Sequence, residues 1–217
     1  VTAPWPFDPL SPFAYDVAMI DPPWPWAAYS TKGLTKSPEA QYKTMSFDEI
    51  GALPVGDLMA PSGVLFVWCT WPLIAQQSAV VARWGFQVKS GGSWVKRTPS
   101  KKLRWGTGYL LRSVCEPFLI ATLPASGFRG SREINLIETE FGEGTVIDGV
   151  AREHSRKPEE AYALIERIMA GKRFADVFSR QTRPGWSSWG NEANKFDADP
   201  ALVAPSAVSD FNQLVGE

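Results

Sequence analysis

Four consecutive residues, Asp21-Pro22-Pro23-Trp24, carry the sharpest chemical signal in the chain. A carboxylate accepts hydrogen bonds, two prolines hold the backbone stiff, and an indole supplies a flat apolar face. Together they suit a planar ring bearing an amino group. The preceding Val17-Ala18-Met19-Ile20 is a short apolar run that reads as a buried strand. Pro22 and Pro23 cannot donate to a ladder and end it. Asp21 is therefore predicted at the carboxyl end of a strand, where open α/β sheets place ligand-handling side chains. On residue types alone, a turn-capping Asp21 and a core Trp24 stand as the alternative.

A second stretch pairs cations with rings. Lys96, Arg97, Lys101, Lys102, Arg104 and Arg112 are interleaved with Trp105 and Tyr109, with Gly106 and Gly108 between. Rings stack on bases while cations follow phosphates, so a single strand or an unstacked base is the expected ligand. A solvated loop is the plainer reading. The net charge of −1 and pI of about 6.0 exclude a strong, sequence-independent grip, so nucleic-acid binding must be local. The cysteines, Cys69 and Cys115, each lie in an apolar run and read as buried thiols. With a single histidine, His154, and no ligand spacing, no metal site is expected. No signal peptide or membrane-length apolar run is seen, and a cytoplasmic setting is expected.

Alternating strands and helices must position these groups. Residues 1–13 read as an irregular lead-in, and Ala27 to Thr44 as a long loop leaving the strand end. Ser46-Phe47-Asp48-Glu49 is a capping box that starts a short helix. Val64 to Cys69 reads as a second buried strand, followed by a helix opened by Pro72 and stopped by Gly85. Phe86 to Lys96 reads as one strand, or two broken near Gly91-Gly92, and Glu116 to Thr122 as another. Residues 124–150 resist assignment. Lys157 to Ala170 has the clearest helical pattern, with Ala161, Leu164, Ile165, Ile168 and Met169 as its stripe. Phe174 to Phe178 is a further strand. The pattern predicts α/β with a largely parallel sheet, one domain over 1–194 and a loosely held tail over 195–217.

An ordered set of motifs resembles one family. Asp21-Pro22-Pro23-Trp24 is followed by Tyr42-Lys43-Thr44-Met45-Ser46, Leu65-Phe66-Val67-Trp68, Trp94-Val95-Lys96 and Gly106-Thr107-Gly108-Tyr109. Lys157-Pro158-Glu159-Glu160, Gly185-Trp186 and Gly190-Asn191-Glu192 complete it. The chain resembles the N6-adenine methyltransferases that include the catalytic subunit of the eukaryotic messenger-RNA adenosine methyltransferase, in the manner of a small bacterial or phage member.

The resemblance implies a Rossmann-like S-adenosylmethionine-dependent methyltransferase fold, circularly permuted, with the catalytic motif first and the cofactor motif near the C-terminus. It implies that Asp21 and the Pro22 carbonyl accept from the adenine amine, with Pro23 shaping the turn and Trp24 stacking on or beside the ring. For S-adenosylmethionine it implies Asp21, Lys157, Arg180, Asn191 and Glu192. DNA is the favoured acceptor, with base flipping for a duplex. RNA, or a non-catalytic nucleic-acid-binding subunit, is the alternative. A homodimer, or a heterodimer with a related subunit, is among the expected assemblies.

Overall fold

The computed structural model describes residues 4–25, 44–106, 110–124, 146–151 and 156–197. The strands are β1 (Tyr15–Ile20), β2 (Met59–Trp68), β3 (Gln87–Arg97), β4 (Cys115–Thr122), β5 (Val146–Val150), β6 (Phe174–Val177) and β7 (Trp186–Trp189). Helices are α1 (Phe47–Gly51), α2 (Val55–Leu58), α3 (Ile74–Arg83) and α4 (Glu159–Ile168). One seven-stranded sheet runs in the order β5-β3-β4-β2-β1-β6-β7. Every strand shares one direction except β4, which is antiparallel to both β2 and β3.

Both faces of the sheet are covered, which explains why its central strands read as unbroken apolar runs. Ala18, Ile20, Leu65 and Val67 pack with Ile50, Val80, Val81 and Trp84 on the side of α1 and α3. Val17, Met19, Val64, Phe66 and Trp68 pack with Ala161, Tyr162 and Ile165 on the side of α4. The alternation in β1 and β2 thus divides the residues between two cores.

Several expectations need adjustment. Gly91-Gly92 does not break a strand: β3 is continuous, and its irregularity lies between Val88 and Ser90. A Cβ at Gly91 would meet the Phe118 carbonyl oxygen at 2.6 Å, so the glycine permits close strand approach. Residues 71–73 form a 3-10 turn before α3 begins at Ile74. Gln77 on α3 is fully buried, a polar residue on the same helix as buried Val80 and Val81. Cys115 is only half-buried, because it begins β4 at the rim, whereas Cys69 is buried as expected. The lead-in is irregular yet packed, with Phe7 and Leu10 in the core. Strands β5 and β7 come from segments that were not assigned. Most of the Ala27 to Thr44 loop, Tyr109, His154 and residues 198–217 lie outside the described residues. Among the described residues, no helix is long and apolar enough to cross a membrane.

Candidate functional site

Strand β1 runs on to β2 on one side, while β6 runs on to β7 on the other. The crevice between the carboxyl ends of β1 and β6 is therefore a topological switch point, the preferred ligand position in open parallel sheets. Asp21 leaves β1 at this point, and its amide donates to the Val177 carbonyl of β6 at 3.2 Å.

The turn that carries Asp21 is tied down at each residue. The Trp24 amide donates to the Pro22 carbonyl at 2.8 Å, and the Met45 amide donates to the Pro23 carbonyl at 2.9 Å. Trp24 Nε1 donates to the Trp68 carbonyl at 2.8 Å, and its ring tilts against Phe47. Only 8% of Trp24 is exposed, so its visible work is to anchor the turn in the core. The Pro22 carbonyl, expected at the adenine amine, already has one donor and keeps a second lone pair.

Strand period explains which charges meet Asp21. Trp94 and Phe118 face the α4 side, so Lys96 and Glu116, each two residues away, face it too. Because β4 runs backwards, its first residues reach the same rim as the carboxyl ends of its neighbours. Lys157, just before α4, drops onto this face. Its Nζ lies 3.0 Å from Asp21 Oδ1, makes a short contact with Glu116 Oε1, and sits 5.0 Å above the Trp68 ring. Lys96 Nζ reaches the other Glu116 oxygen at 2.7 Å. The result is a chain of alternating charge: Lys96, Glu116, Lys157, Asp21.

Burial opposes the charges of Glu116, Lys157 and Asp21, and the balance against their partners differs among the three. Burial would neutralise Glu116, but Lys157 and Lys96 outweigh it and bring its pKa down to about 2. Lys157 is likewise held protonated against burial by Asp21 and Glu116. For Asp21 burial dominates and raises its pKa, even with Lys157 attracting the charged form. Glu116 had escaped notice because its place at the rim depends on a strand direction that the sequence does not display.

A small cleft opens beside Asp21, lined by Lys157, Asp176, Ser179, Arg180 and Gln181 among others. Phe178 takes a left-handed φ of 63° as the chain leaves β6, turning Ser179 to Gln181 into the cleft wall. Gly190 ends β7 beside it, where a Cβ would meet the Ser179 carbonyl oxygen at 2.7 Å. Arg180 pairs with Glu192 at 3.4 Å, and Asn191 is exposed on the same turn. Gln181 accepts from Arg156 Nε at 3.0 Å, but its own Nε2, though buried, has no hydrogen-bond partner.

Asp176 points from β6 toward α4, where it accepts from the Tyr162 hydroxyl at 2.8 Å. Burial raises its pKa from 3.8 to about 7, despite the hydrogen bond from Tyr162. A carboxyl with a raised folded pKa holds a proton that the unfolded chain has released. Its contribution to stability is therefore full below 3.8 and lost as pH rises toward 7. Asp176→Asn is expected to flatten thermal stability across that interval, as melts at half-unit pH steps would register. Parallel slopes for the two proteins would contradict the assignment.

The predicted nucleic-acid residues divide in two. Lys96 belongs to the Asp21 charge chain and Arg104 donates to the Ala151 carbonyl at 3.0 Å, so both hold structure together. Arg97 donates to the Lys101 carbonyl at 3.2 Å. Lys101, Lys102 and Trp105 face solvent beyond β3, Trp105 being 64% exposed.

This sheet, with one reversed strand and a charged cleft at its switch point, defines a Rossmann-like methyltransferase fold. The chain belongs to the MT-A70 family, whose model matches residues 15–192. It is 33% identical over 185 residues to an N(6)-adenosine-methyltransferase MT-A70-like protein of Arabidopsis thaliana, covering 83% of this chain and 24% of that one. Human METTL4, an N(6)-adenine-specific methyltransferase, is 27% identical over 90% of this chain and 41% of its own. Human METTL3, an N(6)-adenosine-methyltransferase catalytic subunit, is 29% identical over 92% of this chain and 31% of its own. The chain thus spans between a quarter and about two fifths of these relatives. Methyltransferases of this family depend on S-adenosylmethionine.

Proposed function

We propose that this chain transfers a methyl group from S-adenosylmethionine to N6 of an adenine in nucleic acid. The observation that carries the reading is Asp21, a carboxylate on a rigid turn at the switch point, facing a cleft whose donors suit the cofactor. Cationic Lys157 and Arg180 in its lining suit a carboxylate, and the orphaned Gln181 amide offers a buried donor; Asn191 and Glu192, on the turn that Arg180 pairs with, suit ribose hydroxyls. The carboxylate of Glu192 is shared with Arg180 and Lys195, so it is ionised and oriented. The permuted chain order fits this reading, since β6 and β7 come last in sequence yet lie beside β1.

When bound, S-adenosylmethionine supplies an electrophilic methyl group. The residues of this chain supply alignment and charge. An adenine amine is a poor nucleophile because its lone pair is delocalised into the ring. Acceptance of its two hydrogens by Asp21 and the second lone pair of the Pro22 carbonyl draws the nitrogen toward tetrahedral geometry. Asp21 would stabilise the positive charge growing on nitrogen as the methyl carbon bonds to it and parts from the donor's sulfur, which keeps the electron pair of the broken bond. Lys157 keeps Asp21 in place, and Glu116 with Lys96 keeps Lys157 in place. The proton leaves once methylation has made it acidic, so Asp21 need not be a strong base.

DNA is the acceptor favoured from the sequence, while relatives named for adenosine, the nucleoside of RNA, argue equally for RNA, and one assay decides. Tritiated methyl transfer is measured to matched DNA and RNA oligonucleotides, single- and double-stranded, with and without adenine. Label in adenine-containing strands alone is the expected result. Equal label in strands without adenine would end the reading.

A further inference from the structure

Trp71 is a large apolar side chain left in water, 52% exposed. It lies three residues beyond Trp68, the last of β2, and therefore on the same rim as Asp21, one strand away. An isolated exposed indole is ordinary. The mounting of this one is not. The Thr70 amide donates to Gln77 Oε1 at 2.9 Å, and Gln77 Nε2 donates back to Thr70 Oγ1 at 3.3 Å. Gln77 is fully buried, so a core amide is dedicated to the residue just before Trp71. The Leu73 amide closes the turn on the Thr70 carbonyl at 3.1 Å, and Pro72 restricts the backbone between them. The indole is thus exposed on a backbone that is held in place.

Among the described residues, the aromatic rings nearer to Asp21 offer no comparable face. Trp24 and Trp68 are both buried, Trp24 against Phe47 and Trp68 against Trp94 and Phe118. The acceptor adenine must reach Asp21 on the cleft floor, and the cofactor groups lie on the β6 and β7 side. Trp71 stands on the opposite side, along the rim toward exposed Lys101 and Lys102 beyond β3.

We propose that Trp71 is a stacking platform for the base next to the acceptor adenine, fixing how the strand enters the site. The inference rests on the nucleic-acid reading above. Every base has a π face, so the contact is sequence-tolerant and serves DNA and RNA alike.

The test uses single-stranded DNA and RNA oligonucleotides with one adenine and 2-aminopurine at either flanking position. Emission is expected to be quenched at one flank by the wild-type chain, to recover with Trp71→Ala and to stay quenched with Trp71→Phe. Trp71→Ala is expected to bind about tenfold or more weakly and to raise KM by more than it lowers kcat. An abasic flank should weaken the wild type by the same factor and add nothing to the variant. Equal binding and unchanged quenching in Trp71→Ala would overturn the platform while wild-type methyl transfer left the functional reading standing. A wild-type chain that methylates no adenine would remove both.

Discussion

Asp21→Ala is expected to lower methyl transfer by at least about a thousandfold. The loss has two parts. One is the acceptor that shapes and orients the amine, and the other is the negative charge that meets the positive charge growing on nitrogen. Asp21→Asn separates them, because its amide oxygen still accepts while the charge is gone. That variant is expected to lose about a hundredfold, the cost of one electrostatic partner in a water-poor site. Single-turnover rates at saturating oligonucleotide would check both values. Near-normal turnover by the alanine variant would remove Asp21 from the chemistry. A disproportionate effect is expected because the turn cannot yield to substitute another group: the Asp21 amide, the Pro23 carbonyl and the Trp24 indole are each tied to residues outside the turn.

The second large effect is expected from Lys157→Met. Lys157 bridges Asp21 and Glu116, and its removal leaves two largely covered carboxylates without their shared counter-charge. Breaking such a pair costs about 3–5 kcal/mol of stability. The cost should depend on pH in a defined direction. In the wild type, the pKa of Glu116 is lowered from 4.5 to about 2, so its stabilising contribution is present above 4.5 and lost as pH falls through 2. In the variant, one carboxylate takes up a proton well above that range, and the deficit shrinks as pH falls. Urea titrations at mildly acidic and mildly alkaline pH are expected to show the larger gap between variant and wild type at the alkaline end. A gap independent of pH would mean that the two acids are not coupled through Lys157. Methyl transfer should fall with stability held constant, since Asp21 would lose its anchor.

Much of this site could be read before any coordinates. The position of Asp21 followed from an apolar run cut by two prolines, and α4 followed from a regular stripe between Pro158 and Gly171. The burial of β1 and β2 lay in their unbroken apolar character. What could not be read depended on contacts between distant segments. Glu116 joins the site only because β4 runs opposite to its neighbours, and a single chain of letters does not state strand direction. Lys96 looked like the first cation of a basic loop, yet strand period turns it inward toward Glu116. The partner of the Trp24 indole is a backbone carbonyl 44 residues away, so its anchoring role was invisible. Gly91-Gly92 suggested a break because glycine usually punctuates, whereas at Gly91 it admits the Phe118 carbonyl. Strands β5 and β7 are short and contain glycine or serine, and they gain strand character from pairing with β3 and β6.

The central claim is that Asp21 presents the exocyclic amine of adenine, and no other nucleophile, to the methyl donor. Its most direct test is the identity of the product. Wild-type chain is incubated with S-adenosylmethionine carrying a deuterated methyl group and an oligonucleotide containing all four bases, and the nucleosides are then separated and weighed. The account predicts N6-methyladenine bearing the deuterated methyl, absent when Asp21 is alanine. A deuterated methyl on a ring nitrogen of adenine, or on any other base, would contradict it.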